Sequence, residues 1–308
     1  MSLVIVGTVA FDAIETPFGK TDKILGGAAT YASLAAAKLT DDVKIISVIG
    51  GDFPSEYIKL LNKEGVKTEG IKTISDGKTF FWSGKYHIDM NSRDTLVTEL
   101  NVLADFDPQL PDSYKDCTYL MLGNLTPAIQ KKVIQQMPVR PKLIVMDTMN
   151  FWMNTAMEDL KEVLTMVDVL TINDEEARQL SNEYSLVKAA RKILCMGPKF
   201  LIIKKGEHGA LLFHQDQVFF APAMPLEEVF DPTGAGDTFA GGFIGFLAHT
   251  DDISFENMKR AIIFGSAMAS FAVEKFGTEA LQELKNGKLL DRVQQFLGLV
   301  KCDIILSD

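Results

Sequence analysis

Short apolar runs recur along this 308-residue chain, each separated from the next by a helix-length segment. That alternation constrains the fold more than any other feature. Residues 3–7, 43–49, 119–122, 143–147, 167–171, 200–204 and 210–213 are rich in Val, Ile, Leu and Met with few polar interruptions. A strand that is apolar at nearly every position is buried on both faces, the condition of a parallel sheet between helical layers. Residues 28–39, 55–64, 127–137, 158–166 and 174–180 carry the intervening helical patterns. The expected fold is α/β, with a mostly parallel central sheet and helices on both faces. Ligands of such sheets collect beyond the carboxyl ends of the strands, so polar residues that follow a strand are the first place to look for a site.

Two stretches, residues 9–25 and 72–102, break the alternation. From Lys85 to Asn101 the odd positions are largely polar (Lys85, His87, Asp89, Asn91, Arg93), while Tyr86, Ile88, Met90, Leu96 and Leu100 hold even ones. Period two marks strands with one wet and one apolar face. These segments read as a small β-sheet lid inserted into a single unit spanning 1–308. Its aromatic residues Phe80, Trp82 and Tyr86 share one parity, suited to a core, to a dimer interface or to stacking on a ring. Arg93 and the polar parity face either substrate or solvent.

The bulk numbers exclude several classes. A net charge of −10 and a pI of about 5.0 repel a nucleic-acid backbone, whereas a mononucleotide needs only a few local cations and amides. Cys117, Cys195 and Cys302 are scattered without metal or redox spacing, and read as reduced, mostly buried thiols. No apolar run approaches the ~20 residues that span a bilayer, and the first residues lack the basic start of a secretory signal. A cytoplasmic chain without a membrane partner is expected. Leu3–Asp12 lacks Gly-x-Gly-x-x-Gly and residue 14 is Ile where a Walker loop ending at Lys20-Thr21 requires Gly, so neither nucleotide-binding fingerprint is present.

The most specific string is Asp231-Pro232-Thr233-Gly234-Ala235-Gly236-Asp237-Thr238-Phe239, which opens a long helical segment. Glycines admit a ligand close to the backbone, and the first N–H groups of a helix lack intrahelical partners. Such a terminus suits an anion in transit. Asp237, in the first turn, can accept a proton from an attacking hydroxyl while the Gly234, Ala235 and Gly236 backbone stabilises charge on phosphoryl oxygens. The alternative is a first-turn carboxylate that merely complements the helix dipole.

This string resembles the second signature of the ribokinase-like (PfkB) family of carbohydrate and nucleoside kinases, and further motifs follow in that family's order over nearly the whole chain. Gly7-x-x-x-x-Asp12 is similar to its first strand and substrate-binding acid. Gly26-Gly27-Ala28-Ala29-Thr30 resembles the Gly-Gly turn of its first signature, with Thr30 where Asn is common. Ile49-Gly50-Gly51-Asp52 and Glu64-Gly65-Val66 resemble the segment that follows. Asn173-Asp174-Glu175-Glu176 resembles the Asn-x-x-Glu motif that organises Mg2+, and Lys204-Lys205-Gly206-Glu207-His208-Gly209 the turn beside the nucleotide. Residues 266–277, including Ser266 and Gly277, look like the helix and loop bordering adenine. Asp231 and Thr233 resemble positions that hold a monovalent cation such as K+ in some members.

The resemblance implies a ribokinase-like kinase using ATP and Mg2+. Asp12, Gly26, Gly27, Thr30, Arg93 and Asn124 would meet a sugar or sugar-like acceptor, and Asn173, Lys204, Gly206 and Gly209 the nucleotide. The residues themselves leave alternatives. Asn173 and Glu176 form a capping-box pair as readily as a water-mediated Mg2+ site. Asn124 and Asp147 follow strands and either touch ligand or cap a turn. A nucleoside kinase, a small-ring kinase and a non-catalytic metabolite sensor are the competing functions, and a homodimer through the lid is the expected assembly.

Overall fold

The computed structural model describes residues 1–301, so Cys302 lies outside the described residues. The chain opens with β1 (Leu3–Val6), then β2 (Ala10–Thr16), β3 (Gly19–Lys20) and β4 (Ile24–Gly26), and α1 (Ala28–Ala37). Next come β5 (Val43–Gly50), α2 (Ser55–Lys63), β6 (Val66–Ile74), β7 (Phe81–Tyr86) and β8 (Arg93–Glu99). The middle alternates β9 (Tyr119–Leu122), α3 (Pro127–Gln135), β10 (Leu143–Asp147), α4 (Asn150–Thr155), α5 (Met157–Leu164) and β11 (Val169–Asn173). It continues through α6 (Asp174–Ser181), α7 (Leu186–Leu194), β12 (Phe200–Lys204), β13 (Ala210–His214) and β14 (Gln217–Ala221). The helices α8 (Ala235–Thr250), α9 (Phe255–Ala272), α10 (Glu279–Glu283) and α11 (Asn286–Val300) complete the described chain.

Nine strands form the main sheet in the order β14-β13-β12-β11-β10-β9-β1-β5-β6. All neighbours are parallel except the β12–β13 and β13–β14 pairs. The apolar strands are buried on both faces. In β1, Leu3 and Ile5 enter a core shared with α1, α8 and α9, while Val4 and Val6 enter a second core under α3, α5, α6 and α7; all four side chains are fully buried. Because β1 pairs with β5 on one side and β9 on the other, the sheet reverses direction of growth there. The carboxyl ends of β1 and β9 are therefore the topological switch point, where ligands of such sheets collect.

Strands β2, β3, β4, β7 and β8 form a separate small sheet, ordered β3-β2-β7-β8 with β4 paired to β2. Its span differs from the expected one at one edge. Residues 72–74 end β6, the edge strand of the main sheet, rather than belonging to the lid. The parity reading of the lid also needs correction. Residues 87–92 form a turn that interrupts the strands, so Arg93 pairs directly with Tyr86. Residues opposite one another in an antiparallel pair point to the same face. Arg93 therefore shares a face with Tyr86 and Trp82, not with Lys85, and its guanidinium lies 5.8 Å from the Trp82 ring centre.

Of the described cysteines, Cys117 is buried as expected, whereas Cys195 is exposed at the end of α7. Among the described residues no helix is long and apolar enough to cross a membrane.

Candidate active site

The site begins with how closely α8 approaches α1. A Cβ on Gly241 would lie 2.1 Å from the Ala32 carbonyl oxygen, and one on Gly245 would lie 2.8 Å from the Ala36 Cα. Only glycine lets the two backbones meet at that distance. On its other flank α8 does the same with α9, where Gly242 faces the Gly265 Cα. The crossing carries the start of α8 over the start of α1. Gly234, the residue before α8, has φ +72 and would drive a Cβ to 2.4 Å from the Tyr31 ring carbons.

The two helix starts differ in their free donors. At α1, Thr8 takes them: Ala28 N–H donates to its Oγ1 at 2.8 Å and Ala29 N–H to its carbonyl at 2.9 Å. At α8, Ala235 N–H donates to the Pro232 carbonyl at 3.2 Å. The N–H groups of Gly236 and Asp237 have no partner elsewhere in the protein among the described residues. The α8 terminus is thus the one left open to an anion.

Around that terminus the strand ends supply charge. Asp147 closes β10, Asn173 closes β11 and Lys204 closes β12. Lys204 Nζ lies 3.5 Å from Asp147 Oδ2 and would be 3.0 Å from a Cβ on Gly236. The Asp147 turn is anchored from behind. Its Oδ1 accepts from Thr148 N–H at 2.9 Å, and fully buried Gln130 donates to the carbonyls of Gly123 at 2.9 Å and Asp147 at 3.0 Å. Asn173 and Glu176 form a reciprocal capping box, both bonds at 2.8 Å. That leaves Glu176 Oε1 outside the box.

These groups shift one another. Burial, and then the Asp147 charge, pushes the Asp237 carboxyl up to about 7, against the pull of Lys204 and Arg93. Burial followed by Asp147 pushes Glu176 up to about 7 as well, with Lys204, the Asn173 N–H and Arg93 opposing. For Lys204 burial acts downward, but Asp147, Glu176 and Asp237 outweigh it and raise the ammonium's pKa. Lys204 is held as a cation among three acids.

On the other side of Asp237 lies Asp12, 4% exposed on β2. Gly26 is pressed against it, since a Cβ there would fall 1.9 Å from Asp12 Oδ2, and Gly27 has φ +95 beneath the Thr8 carbonyl. Burial, with Asp231 and Asp237 nearby, pushes Asp12 up to about 7 despite the Gly27 N–H. Thr30, expected to face the acceptor, is instead fully buried and its hydroxyl has no partner. Its neighbour Tyr31 takes the position at the site, with its ring under Gly234. The Tyr31 hydroxyl is also buried and unpartnered, and burial together with Asp12 and Asp231 holds its pKa well above the ordinary phenol value. Nothing local in the chain marks Tyr31, because its place under Gly234 arises only where α8 crosses α1.

Asp231 ties the turn before α8 to the loop after α9. Its Oδ1 accepts from Thr233 N–H at 2.9 Å and its Oδ2 from Gly277 N–H at 2.8 Å, and burial raises its pKa. Thr233 Oγ1 meets the Tyr86 hydroxyl at 3.2 Å, linking the turn to the lid. At the nucleotide-side turn, Gly206 has φ +54 and lies 2.7 Å, measured from an added Cβ, from Asn91 Oδ1 at the tip of the lid. Gly209 has φ +80 and faces the Ala221 carbonyl, so packing against the end of β14 explains the glycine. Ser266 is buried on α9, next to Gly265 where that helix meets Phe239. Asn124 follows β9 and is half-buried. Its Oδ1 accepts from Trp152 Nε1–H at 2.9 Å and its Nδ2 lies 3.0 Å from Met149 Sδ, so the amide is tied to α4 and its approach.

A corner of this kind is suited to passing a phosphoryl group to a hydroxyl, which makes the protein a kinase by class. Residues 2–284 match the sequence profile described as pfkB family carbohydrate kinase, and the chain belongs to that family. A cytidine kinase from Thermococcus kodakarensis is 30% identical over 250 residues, covering 79% of this chain and 87% of that protein. A ribokinase from Haemophilus influenzae is 28% identical over 282 residues, covering 86% and 87%. A candidate ribokinase II from E. coli, solved in complex with ATP and Mg2+, matches the fold with a TM-score of 0.77 at 20% identity, covering 96% of this chain and 99% of that one. The ribokinase-like α/β fold expected from the sequence is the one observed.

Proposed function

We propose that this kinase transfers the γ-phosphoryl group of ATP to a primary hydroxyl of a small sugar or sugar-like metabolite, with Asp237 as the base. The carrying observation is the α8 terminus: the Gly236 amide, with no backbone partner among the described residues, and the Asp237 amide, met only by its own carboxylate, with the Lys204 ammonium alongside Gly236. The acceptor hydroxyl gives its proton to the Asp237 carboxylate as its oxygen bonds to the γ-phosphorus. The bond from that phosphorus to the bridging oxygen breaks, and ADP leaves. Charge on the transferring group is met by the amides and by Lys204, and the loose transition state asks the protein mainly for positioning.

Asp12 and the Gly26-Gly27 turn orient the acceptor, and the lid excludes water that would otherwise hydrolyse ATP. Lys204, Gly206, Asn173 and the Ser266–Gly277 side belong to the nucleotide in this reading. The fit to Mg2+ rests on the three acids Asp147, Glu176 and Asp237, the last two raised by burial and by the Asp147 charge, an excess of acid that a divalent cation would relieve. Among the described residues no three acidic, His or Cys side chains converge on one metal position. Glu176 and Asn173 would therefore hold Mg2+ through its waters, and the ion would supply neutralisation of phosphate charge. A monovalent cation such as K+ beside Asp231 and Thr233 belongs to the same proposal, supported by the burial of Asp231, which raises its pKa despite the Gly277 and Thr233 hydrogen bonds.

A nucleoside acceptor is the second reading. It is favoured by the similarity to a cytidine kinase and by Trp82, whose ring lies along Gly84 on the lid face shared with Tyr86. A second copy joined through the lid is the proposed assembly. It is supported by β8, an edge strand exposed along its whole length with Leu96 at 54%. We place the chain in the cytoplasm on the strength of its free thiols.

The test is turnover of ATP against a panel of sugars and nucleosides, with Asp237→Asn as the control. The expected loss in kcat is roughly 10²–10⁴-fold with nucleotide affinity nearly kept. Activity should rise as pH passes through about 7, where the Asp237 carboxyl ionises. Unchanged turnover in the Asn variant removes Asp237 as base.

A further inference from the structure

The lid touches the catalytic turn at defined points. Besides the Tyr86–Thr233 contact and Asn91 at Gly206, the Phe18 ring of the β2–β3 turn lies 5.0 Å from that of Phe230. Arg93 enters this arrangement on the strand next to Tyr86 and on the same face. It is therefore held at the height of Thr233, four positions before Asp237 in the chain. Its guanidinium rests near Trp82 but makes no hydrogen bond or ion pair among the described residues, although its five donors are free to do so. Its charge reaches both Asp237 and Glu176 and opposes the rise in their pKa values. Arg93 is exposed on β8, yet its charge acts on both carboxylates and its guanidinium pairs with neither among the described residues.

We propose that Arg93 is a catalytic residue carried by the lid, its guanidinium clamping the phosphoryl group in transit against the amides of the α8 terminus. This rests on the phosphotransferase reading and deepens it. Arg93 donates hydrogen bonds to non-bridging oxygens of the transferring group; no covalent bond to the arginine forms, and the proton still passes from the acceptor to Asp237. The planar fork matches two phosphoryl oxygens at once, which a lysine ammonium does not. Because the donor arrives on the lid, charge stabilisation is complete only with the lid down over a bound acceptor. Chemistry and the exclusion of water are thereby coupled.

The experiment compares wild type, Arg93→Ala, Arg93→Lys and Asp237→Asn with the acceptor the wild type turns over best, each with and without added guanidinium ion. Loss of one charge-stabilising donor should lower kcat of the Ala variant on the order of 10²–10³-fold. Both KM values should stay within about threefold, because the contact is made in the transition state. Lysine should recover only part of the rate, and millimolar guanidinium should restore part of the Ala variant's turnover without accelerating wild type. If Asp237→Asn is dead but Arg93→Ala keeps its kcat, or loses only acceptor KM, Arg93 is not catalytic and the kinase reading stands. If Asp237→Asn turns over like wild type, Asp237 is not the base, the transfer does not occur at the α8 terminus as proposed, and this role for Arg93 fails with it. Full activity with lysine and no guanidinium rescue would likewise overturn the clamp.

Discussion

Gly241→Ala probes whether the distance between two helices, rather than any polar group, sets the catalytic geometry. The new methyl would sit 2.1 Å from the Ala32 carbonyl oxygen and 2.6 Å from the Ala32 Cα. An ordinary carbon–oxygen contact needs about 3.3 Å, so α8 and α1 must part by about 1 Å at that level. Both contacts are backbone, and no rotamer change relieves them. Overpacking of this kind costs roughly 1–3 kcal/mol, which for a chain this long lowers the melting temperature by roughly 2–10 °C. The consequence for rate is larger than for stability. Gly241 lies one turn below Asp237, so separation of the helices moves the base and the Gly236 amide away from Asp12 and Gly27, which stay with α1. A displacement of about 1 Å in a reacting constellation costs on the order of 10²-fold. Calorimetry and steady-state kinetics on the same preparation check both numbers. Gly298→Ala is the control, because a Cβ there meets nothing within 4 Å, and helix propensity should raise stability by about 0.5–1 kcal/mol. A folded Gly241→Ala protein with wild-type kcat would refute the reasoning, since the site would then tolerate a shift in the crossing that carries it.

Tyr31→Phe removes a buried hydroxyl that has no partner, so the free enzyme should gain about 1 kcal/mol of stability in urea melts. If the acceptor supplies the missing partner, its KM rises at the same time; a stabilised variant with unchanged acceptor KM would show that the hydroxyl faces no ligand. Asp12 and Asp237 are raised to about 7 in the folded state, above the unfolded carboxylate value of about 4. The folded protein therefore holds protons that the unfolded chain releases, and their stabilising contribution is full at low pH and lost as pH rises through about 7. The melting temperature of the ligand-free protein should fall between pH 5 and 8, and Asp12→Asn should flatten that fall. A fluorimetric melt series in which the variant falls as steeply as wild type would contradict the assignment.

Residues whose signal is local were readable from the chain. Asp147, Asn173 and Lys204 end buried strands, and a polar residue after an apolar run advertises the carboxyl edge of a sheet. The Asp231–Phe239 string likewise contains its own turn, helix start and acid. The edge strands β6 and β14 were not anticipated as strands, because an edge loses one buried neighbour and with it the continuous apolar run; Val66–Ile74 interleaves Lys, Thr and Glu. Tyr31 and Gly241 escaped for a different reason. Their meaning depends on where α8 crosses α1, residues about two hundred positions apart, and neither has a pattern of its own. Arg93 was assigned the wrong face because strict alternation was carried through residues 87–92, where a turn resets the count. Thr30 and Tyr31 are one position apart, about a third of a turn on a helix, and the local string does not show which of them meets Gly234.

The charges of the site explain how so acidic a protein can receive a nucleotide. Asp12 and Asp231 crowd the end where β2 and the loop after α9 meet, and the Asp231 oxygens are already engaged by amides. The cations lie toward the other end: Lys204 against Gly236, and Arg93 on the lid, both pulling on Asp237 and Glu176. A tetra-anionic donor would be repelled from the first end and drawn to the second, where the open α8 amides add positive potential. An uncharged polyol meets the reverse preference, since buried carboxyls near their midpoint can both donate and accept to its hydroxyls. Asp237 stands at the boundary, raised by the acids and lowered by the cations, so that either movement of charge changes its basicity. On the function proposed above, this polarity would set direction as well as chemistry: phosphoryl would enter from the Lys204 side and leave attached on the Asp12 side.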